Sequence, residues 1–203
     1  RWFDLIPLFS WLFLRGRCRR CKAEISVQYP IIEGLNGFLW VFVFLVNGMN
    51  VMSVVYCLMT SALLVLSVID WRTFEIPFGI NVFLGILGIV AVVLDKGEWL
   101  NHVIGAVCVS GFLLLLYLLS KGRAIGGGDI KLMAACGLLL GWQKSILAFL
   151  LGCIVGSVIH LFRMKISKEG HVLAMGPYLA AGIFLAALFG GQWIHWYLDA
   201  LGI

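Results

Sequence analysis

The chain has 203 residues, of which 62% are hydrophobic and only 12% are charged. Soluble domains average about 25% charged residues, so this composition excludes an ordinary soluble protein and predicts an all-α, polytopic membrane helical bundle. The formal net charge is +5. In a membrane protein an excess of Lys and Arg first indicates which connections lie in the cytoplasm. We therefore expect no nucleic acid among the partners.

Residues 1–30 are predicted to form a loop outside the membrane, ahead of a transmembrane domain at 31–203. Cys18 and Cys21 enclose two arginines with the spacing of a zinc knuckle. Structural zinc usually takes four ligands, so this pair supplies half of a site. The basic residues around the pair favour contact with the anionic headgroups of the lipid bilayer.

Six later stretches approach the length of about 20 apolar residues that a helix needs to cross a bilayer. A shorter apolar run, 130–140, follows Asp129 and barely spans the hydrocarbon core. The sequence therefore predicts six to seven spans. The six longer ones are 31–47, 50–69, 78–94, 99–120, 143–162 and 172–190.

The basic residues indicate which connections lie inside the cell. Alternate connections between spans must lie on the same side of the membrane. One such set, 1–30, 70–77, 121–131 and 163–170, holds 13 of the 15 Lys and Arg residues. Under the positive-inside rule this set is predicted to be cytoplasmic.

Two aspartates stand out against this topology. Asp70 ends the second span, and Asp129 follows Gly126, Gly127 and Gly128. Two crossings separate the acids, so both are predicted at one depth on the cytoplasmic side. A carboxylate at membrane depth costs about 2.5–3.5 kcal/mol, and irregular backbone there must face protein or a water-filled cavity. We therefore expect both acids to line a hydrated cleft.

Two neighbouring carboxylates favour sharing one proton, which suits peptide hydrolysis without a metal or cofactor. The ionised acid would take a proton from water, and the protonated acid would donate to the amide carbonyl oxygen. Glycines without a Cβ would let an extended peptide approach closely. Taken singly, Asp129 could be a helix N-cap and Asp70 a boundary residue beside Arg72. Their joint placement favours an enzyme.

Acids within the membrane also occur in small ion-coupled or proton-coupled transporters, and this is the alternative function. Such proteins usually place their acids near the midplane and often contain inverted repeats. Here the two acids are predicted toward one face, and the halves of the sequence show no convincing repeat.

Three segments, IDWRTFEIP, GGGDIKLMAACGLLLGW and MGPYLAAG, resemble the signature regions of type IV prepilin peptidases, also called prepilin leader peptidase/N-methyltransferases. These belong to the GxGD intramembrane aspartyl proteases. The segment IPLFSWLFLRGRCRRCKAEISVQYPIIEGLNG resembles the family's cytoplasmic loop. The resemblance implies an aspartic endopeptidase of the bacterial inner membrane whose catalytic pair is Asp70 and Asp129.

The resemblance also implies a substrate and a second activity. The substrate would be the N-terminal leader of a type IV prepilin or pseudopilin, cut after a glycine on the cytoplasmic side. Family members often also methylate the new N-terminus, with S-adenosylmethionine as cofactor. Family members commonly carry a second cysteine pair and a further span upstream, and we expect both to be missing from this sequence.

Four further residues are subsidiary candidates. Lys131, beside the glycines, either tunes Asp129 or steadies an acid of the substrate, or is ordinary positive-inside charge. Gly176 and Pro177 line the cleft by resemblance, or simply kink the last span. Glu33 would contact the incoming amine during methyl transfer, or is an interface residue at the start of a span.

Overall fold

The computed structural model describes the backbone of residues 9–123, 125–166 and 174–202, and the side chains of residues 10–123, 125–162 and 174–202. Every named element in these ranges is an α-helix, and the only β-type pairing there is an isolated bridge between Arg17 and Glu24. The helices are α1 (Phe9–Phe13), α2 (Gln28–Asn47), α3 (Val51–Thr73), α4 (Phe78–Leu94), α5 (Trp99–Leu119), α6 (Gly127–Leu140), α7 (Trp142–Ile166) and α8 (Gly176–Leu201).

Five of these helices, α2, α3, α5, α7 and α8, are long and apolar enough to cross a membrane. The helix α4 is apolar but has only 17 residues, and α6 has 14. The six predicted spans correspond to α2–α5, α7 and α8, and the predicted short run corresponds to α6. The prediction of an all-α, multi-pass membrane bundle is confirmed.

Two boundaries of the last predicted spans need comment. The predicted end of the last span at residue 190 is wrong: α8 continues to Leu201 and ends only at Gly202, whose φ of 71° is the left-handed geometry of a helix C-cap. The predicted connection 163–170 and the predicted span start at 172 lie partly outside the described residues. The helix α7 runs to Ile166, and α8 begins at Gly176.

The chain divides into two compact units, Arg1–Met49 and Asn50–Ile203. In the first, the Trp11 indole N–H donates to the carbonyl oxygen of Ile25 at 3.1 Å, which closes the polar segment before α2. The predicted loop gives way to helix at Gln28, close to the predicted boundary at residue 30.

The second unit is packed through glycines. A Cβ on Gly105 of α5 would overlap the backbone of Gly137 in α6, and a Cβ on Gly137 would overlap the backbone of Gly105. A Cβ on Gly182 of α8 would likewise overlap the backbone of Ala148 and Gly152 in α7. Small residues let membrane helices approach closely, where lipid gives no hydrophobic drive for association. The closest helix approaches therefore lie where α5 meets α6 and α7 meets α8, and buried side chains of α3, α6 and α8 supply much of the core.

The end of α6 farthest from Asp129 is fixed by two polar side chains at the start of α5. The Nδ1 atom of His102 lies 2.9 Å from the carbonyl oxygen of Leu138, and the side chain of His102 is buried. The Oδ1 atom of Asn101 accepts a hydrogen bond from the backbone N–H of Trp142 at 3.0 Å. These contacts anchor the short helix that carries Asp129.

The glycine contact between α5 and α6 gives a direct test of this packing. We expect Gly137→Ala to destabilise the fold by roughly 1–3 kcal/mol, because the added methyl overlaps the backbone of Gly105. Thermal unfolding of the detergent-solubilised protein would report the loss. Gly85→Ala is the control, since its Cβ would meet no atom within 4 Å. Equal melting temperatures for the two variants would contradict the packing described.

Candidate active site

A cleft in the second unit brings the two predicted acids together. The end of α3, the connection to α4, the start of α6 and the residues just before α8 enclose a cavity of about 420 Å³. Asp70 and Asp129 both line it, together with Gly126, Gly127 and Gly128. Because two membrane crossings separate the acids, the sequence predicts them at one depth on the same side of the membrane.

Asp70 lies in the last turn of α3 and is 4% exposed. Its Oδ2 atom accepts a hydrogen bond of 2.9 Å from the backbone N–H of Gly176, the first residue of α8. The N–H groups of a first helical turn have no partner within the helix, so they and the helix dipole favour a carboxylate. A Cβ on Gly176 would lie 2.7 Å from the same oxygen, which leaves room only for glycine.

Asp129 lies in the first turn of α6, in a half-buried position. Gly126 is the N-cap residue of α6, and its backbone forms a hydrogen bond with the Asp129 carboxylate. Asp129 is the third residue of the helix, and a carboxylate at this position can accept a hydrogen bond from the N-cap N–H. That N–H group has no partner within the helix. Gly127 and Gly128 are helical, so of the three glycines only Gly126 remains in the predicted connection 121–131.

The two carboxylates interact electrostatically within the cleft. Like charges at close range disfavour double ionisation, so the pair is suited to hold one proton between its two members. Each acid already has one backbone N–H donor, from Gly176 for Asp70 and from Gly126 for Asp129. The arrangement can therefore present one ionised and one protonated carboxyl group to a water molecule and an amide.

Two neighbouring contacts shape the cleft. A Cβ on Gly128 would lie 2.9 Å from the Cβ of Ile76, so glycine allows the start of α6 to approach the Ile-Pro connection after α3. The Nζ atom of Lys131 lies 5.5 Å from the centroid of the Phe78 ring, within the range of a cation–π interaction. Lys131 lines the cleft with Phe78, and Pro177 sits in the first turn of α8 beside Gly176.

The remaining candidates lie in the first unit. Cys18 and Cys21 form part of a tight turn, in which the backbone N–H of Lys22 donates to the carbonyl oxygen of Cys18 at 2.9 Å. Among the described residues, no group of three or more His, Cys, Asp or Glu side chains could hold a metal ion. The residues described thus do not form a zinc site, and zinc stays a prediction that needs further ligands. Glu33 is exposed on α2.

A cleft lined by two aspartates in a multi-pass helical bundle suits an intramembrane aspartic peptidase, and comparison with known proteins identifies a peptidase family. Residues 57–161 match the type IV leader peptidase family, and residues 1–47 match the bacterial peptidase A24 N-terminal domain. The chain therefore belongs to the type IV leader peptidase family and is a peptidase, as predicted, which disfavours the transporter alternative. No solved structure matches the chain.

Similar proteins include three named prepilin leader peptidase/N-methyltransferase. The protein of Aeromonas salmonicida (strain A449) is 36% identical, over 97% of this chain and 70% of its own length. That of Aeromonas hydrophila is 37% identical, over 95% of this chain and 69% of its own length. That of Stutzerimonas stutzeri is 34% identical, over 98% of this chain and 71% of its own length.

The contact between Gly176 and Asp70 was not visible in the sequence, which offered only cleft lining or a kink at this position. We expect Gly176→Ala to lower peptidase activity by about 10- to 100-fold, the cost of a hydrogen bond to a charged group. The added methyl would displace the Asp70 carboxylate. The measurement is the initial rate of peptide cleavage by purified protein, with folding checked by thermal unfolding.

Gly79→Ala is the matched control, since its Cβ would meet no atom within 4 Å. A folded Gly176→Ala variant as active as Gly79→Ala would show that the backbone donor does not position Asp70.

Proposed function

We propose that this protein cleaves the N-terminal leader from type IV prepilins and pseudopilins, after a glycine and on the cytoplasmic face of the bacterial inner membrane. The observation that carries the proposal is the shared cleft of Asp70 and Asp129 in a membrane-embedded bundle. The names of the similar proteins support the choice of substrate.

The cytoplasmic orientation follows from charge. The two connections that border the cleft, 70–77 and 121–131, carry Arg72, Lys121, Arg123 and Lys131. The opposite connection, 95–98, carries one basic residue and two acids. Basic residues concentrate in cytoplasmic loops, so the cleft is assigned to the cytoplasmic side.

The proposed chemistry uses only the two acids and water. The ionised carboxylate removes a proton from water as its oxygen bonds to the carbonyl carbon, and the protonated carboxyl group donates its proton to the carbonyl oxygen. Collapse of the tetrahedral intermediate breaks the C–N bond, and the departing amine takes up a proton from the dyad. The products are a free leader carboxylate and a new N-terminal amine.

The glycines explain how a peptide would reach the acids. Gly126 and Gly127 are exposed at the cleft, and a Cβ on Gly127 would meet no atom within 4 Å. Their bare backbone leaves space for an extended substrate, and a glycine on the substrate side of the cut bond would add no further bulk. Lys131 lines the cleft, and its proposed role is to steady an acidic group of the substrate.

The test of the proposal is replacement of each acid in turn. We expect Asp70→Asn and Asp129→Asn each to reduce cleavage of a purified prepilin by at least about 1,000-fold, since neither amide can exchange the required proton. A gel mobility shift follows leader removal, and mass spectrometry locates the cut bond. Asp199→Asn, at the exposed end of α8, should cleave at the normal rate.

A correctly folded Asp70→Asn or Asp129→Asn variant that cleaves normally would refute the dyad. Loss of cleavage in Asp199→Asn as well would mean that the assay reports general damage and not proton transfer.

We further propose that the protein methylates the new N-terminal amine, with S-adenosylmethionine as the methyl donor, as the names of its relatives suggest. The described residues contain no strand–glycine turn–helix unit of the kind that binds nucleotide cofactors, so the proposal does not place the cofactor. Glu33, an exposed acid on α2, is the proposed contact for the amine.

We expect Glu33→Gln to lower methylation of the mature N-terminus while leader cleavage continues at the normal rate, because the dyad is unchanged. Mass spectrometry of the mature product, with and without S-adenosylmethionine, measures the methylated fraction. Exposed Glu24 provides the control variant Glu24→Gln. Normal methylation by Glu33→Gln would exclude this role for the residue.

A further inference from the structure

One buried polar side chain near the cleft has no role in the chemistry above. Asn81, in the first turn of α4, is 6% exposed. Neither its Nδ2 nor its Oδ1 atom has a hydrogen-bond partner in the described part of the chain. Buried polar groups in native proteins nearly always have a partner, and leaving one without costs about 1–3 kcal/mol. A buried amide with no protein partner therefore requires an explanation.

The register between α4 and α6 locates this amide. Phe78 contacts Lys131, and ten residues further along α4 a Cβ on Gly88 would lie 3.1 Å from Leu138. Both contacts advance in the same direction, so the two helices run parallel. Asn81, which lies between the two contacts, is level with about residues 131–134 of α6, roughly 3–8 Å along the helix axis from Asp129 at 1.5 Å per residue.

The orientation of Asn81 follows from its helix face. Asn81 and Gly88 are both buried and are separated by seven residues, which is close to two full helical turns. They therefore lie on the same stripe of α4, and Gly88 shows that this stripe faces α6. Asn81 therefore lies on the face of α4 that meets the helix carrying Asp129, and it is not among the residues that line the cleft.

We propose that Asn81 holds a water molecule between α4 and α6, hydrogen-bonded on its other side toward Asp129, and that it acts as a positioning residue for the dyad. The inference rests on the proposed function, in which Asp129 is one of the two catalytic acids. An amide offers one acceptor and two N–H donors, so it can orient a water whose own proton points to a carboxylate.

The burial of Asn81 favours water, and not the substrate backbone, as the hydrogen-bond partner of its amide. Asn81 is 6% exposed, and the cleft surface is formed by other residues. A peptide could reach it only if α4 and α6 separated, whereas a water needs two to four polar partners and little space. The water would fix the orientation of the Asp129 carboxylate, so its loss should slow the chemical step and leave substrate binding unchanged.

The test compares two variants that differ by one hydroxyl group. Asn81→Val removes every hydrogen-bonding group, and Asn81→Thr keeps a hydroxyl in a side chain of the same shape. We expect the Val variant to lower kcat for prepilin cleavage by about tenfold or more with KM nearly unchanged, and the Thr variant to recover most of that loss. Both should melt no lower than the wild type, since an amide without protein partners adds little stability.

Ser145→Ala is the matched control. The Oγ of Ser145 is also buried without a hydrogen-bond partner in the described part of the chain, but it lies near Gly137, toward the opposite end of α6. This variant should keep the wild-type kcat.

Provided that the wild-type protein cleaves prepilin, several results would overturn the role of Asn81 without affecting the proposed function. These are a wild-type kcat for Asn81→Val, equal losses for the Val and Thr variants, a change in KM alone, or a loss of activity that follows a loss of melting temperature. If the wild-type protein itself fails to cleave prepilin, the proposed function fails instead, and the inference falls with it.

Discussion

The hydrogen bond from the backbone N–H of Gly176 to the carboxylate of Asp70 joins two helix ends that are 106 residues apart in sequence. It places an acid from the end of α3 against the positive end of the dipole of α8. Without this donor, a carboxylate that is only 4% exposed would lose its backbone hydrogen bond, at considerable cost in free energy. The absence of a side chain at Gly176 makes the contact sterically allowed, so one glycine sets the position of one half of the dyad.

The other half depends on the length of α6. At 1.5 Å per residue its 14 residues extend about 21 Å, less than a hydrocarbon core of about 30 Å. Its far end is held by Asn101 and His102 of α5 and by the contact of Gly137 with Gly105. With that end fixed, α6 is too short for Asp129 at the near end to reach the level of a full-length span. We therefore expect the short helix to hold this acid below the membrane surface.

Much of this arrangement could be predicted from the sequence. Apolar runs located the helices, and the number of crossings between Asp70 and Asp129 placed both acids on one side. These inferences succeed because a span in lipid must form its backbone hydrogen bonds within its own helix. Local apolar pattern therefore predicts the spans well. The triple glycine was placed in the connection 121–131, yet Gly127 and Gly128 form the first turn of α6, where Gly128 lies close against Ile76.

Contacts between distant segments could not be predicted in this way. The donor from Gly176 to Asp70 and the isolation of the Asn81 amide both arise where separate helices meet, and no local pattern encodes them. The sequence suggested zinc from the spacing of Cys18 and Cys21, but spacing alone cannot supply the further ligands that a metal site needs.

The central claim is that Asp70 and Asp129 face each other across one cleft, and cross-linking tests it most directly. Asp70→Cys and Asp129→Cys would be combined in a background whose six native cysteines are replaced, and treated in native membranes with a short bifunctional thiol reagent. Cutting the chain in the connection between α4 and α5 then reveals whether the halves remain joined. The account predicts efficient joining of this pair and none for Asp70→Cys combined with a cysteine at Ser145. Failure of the Asp pair to join, while each cysteine still reacts singly with the reagent, would contradict it.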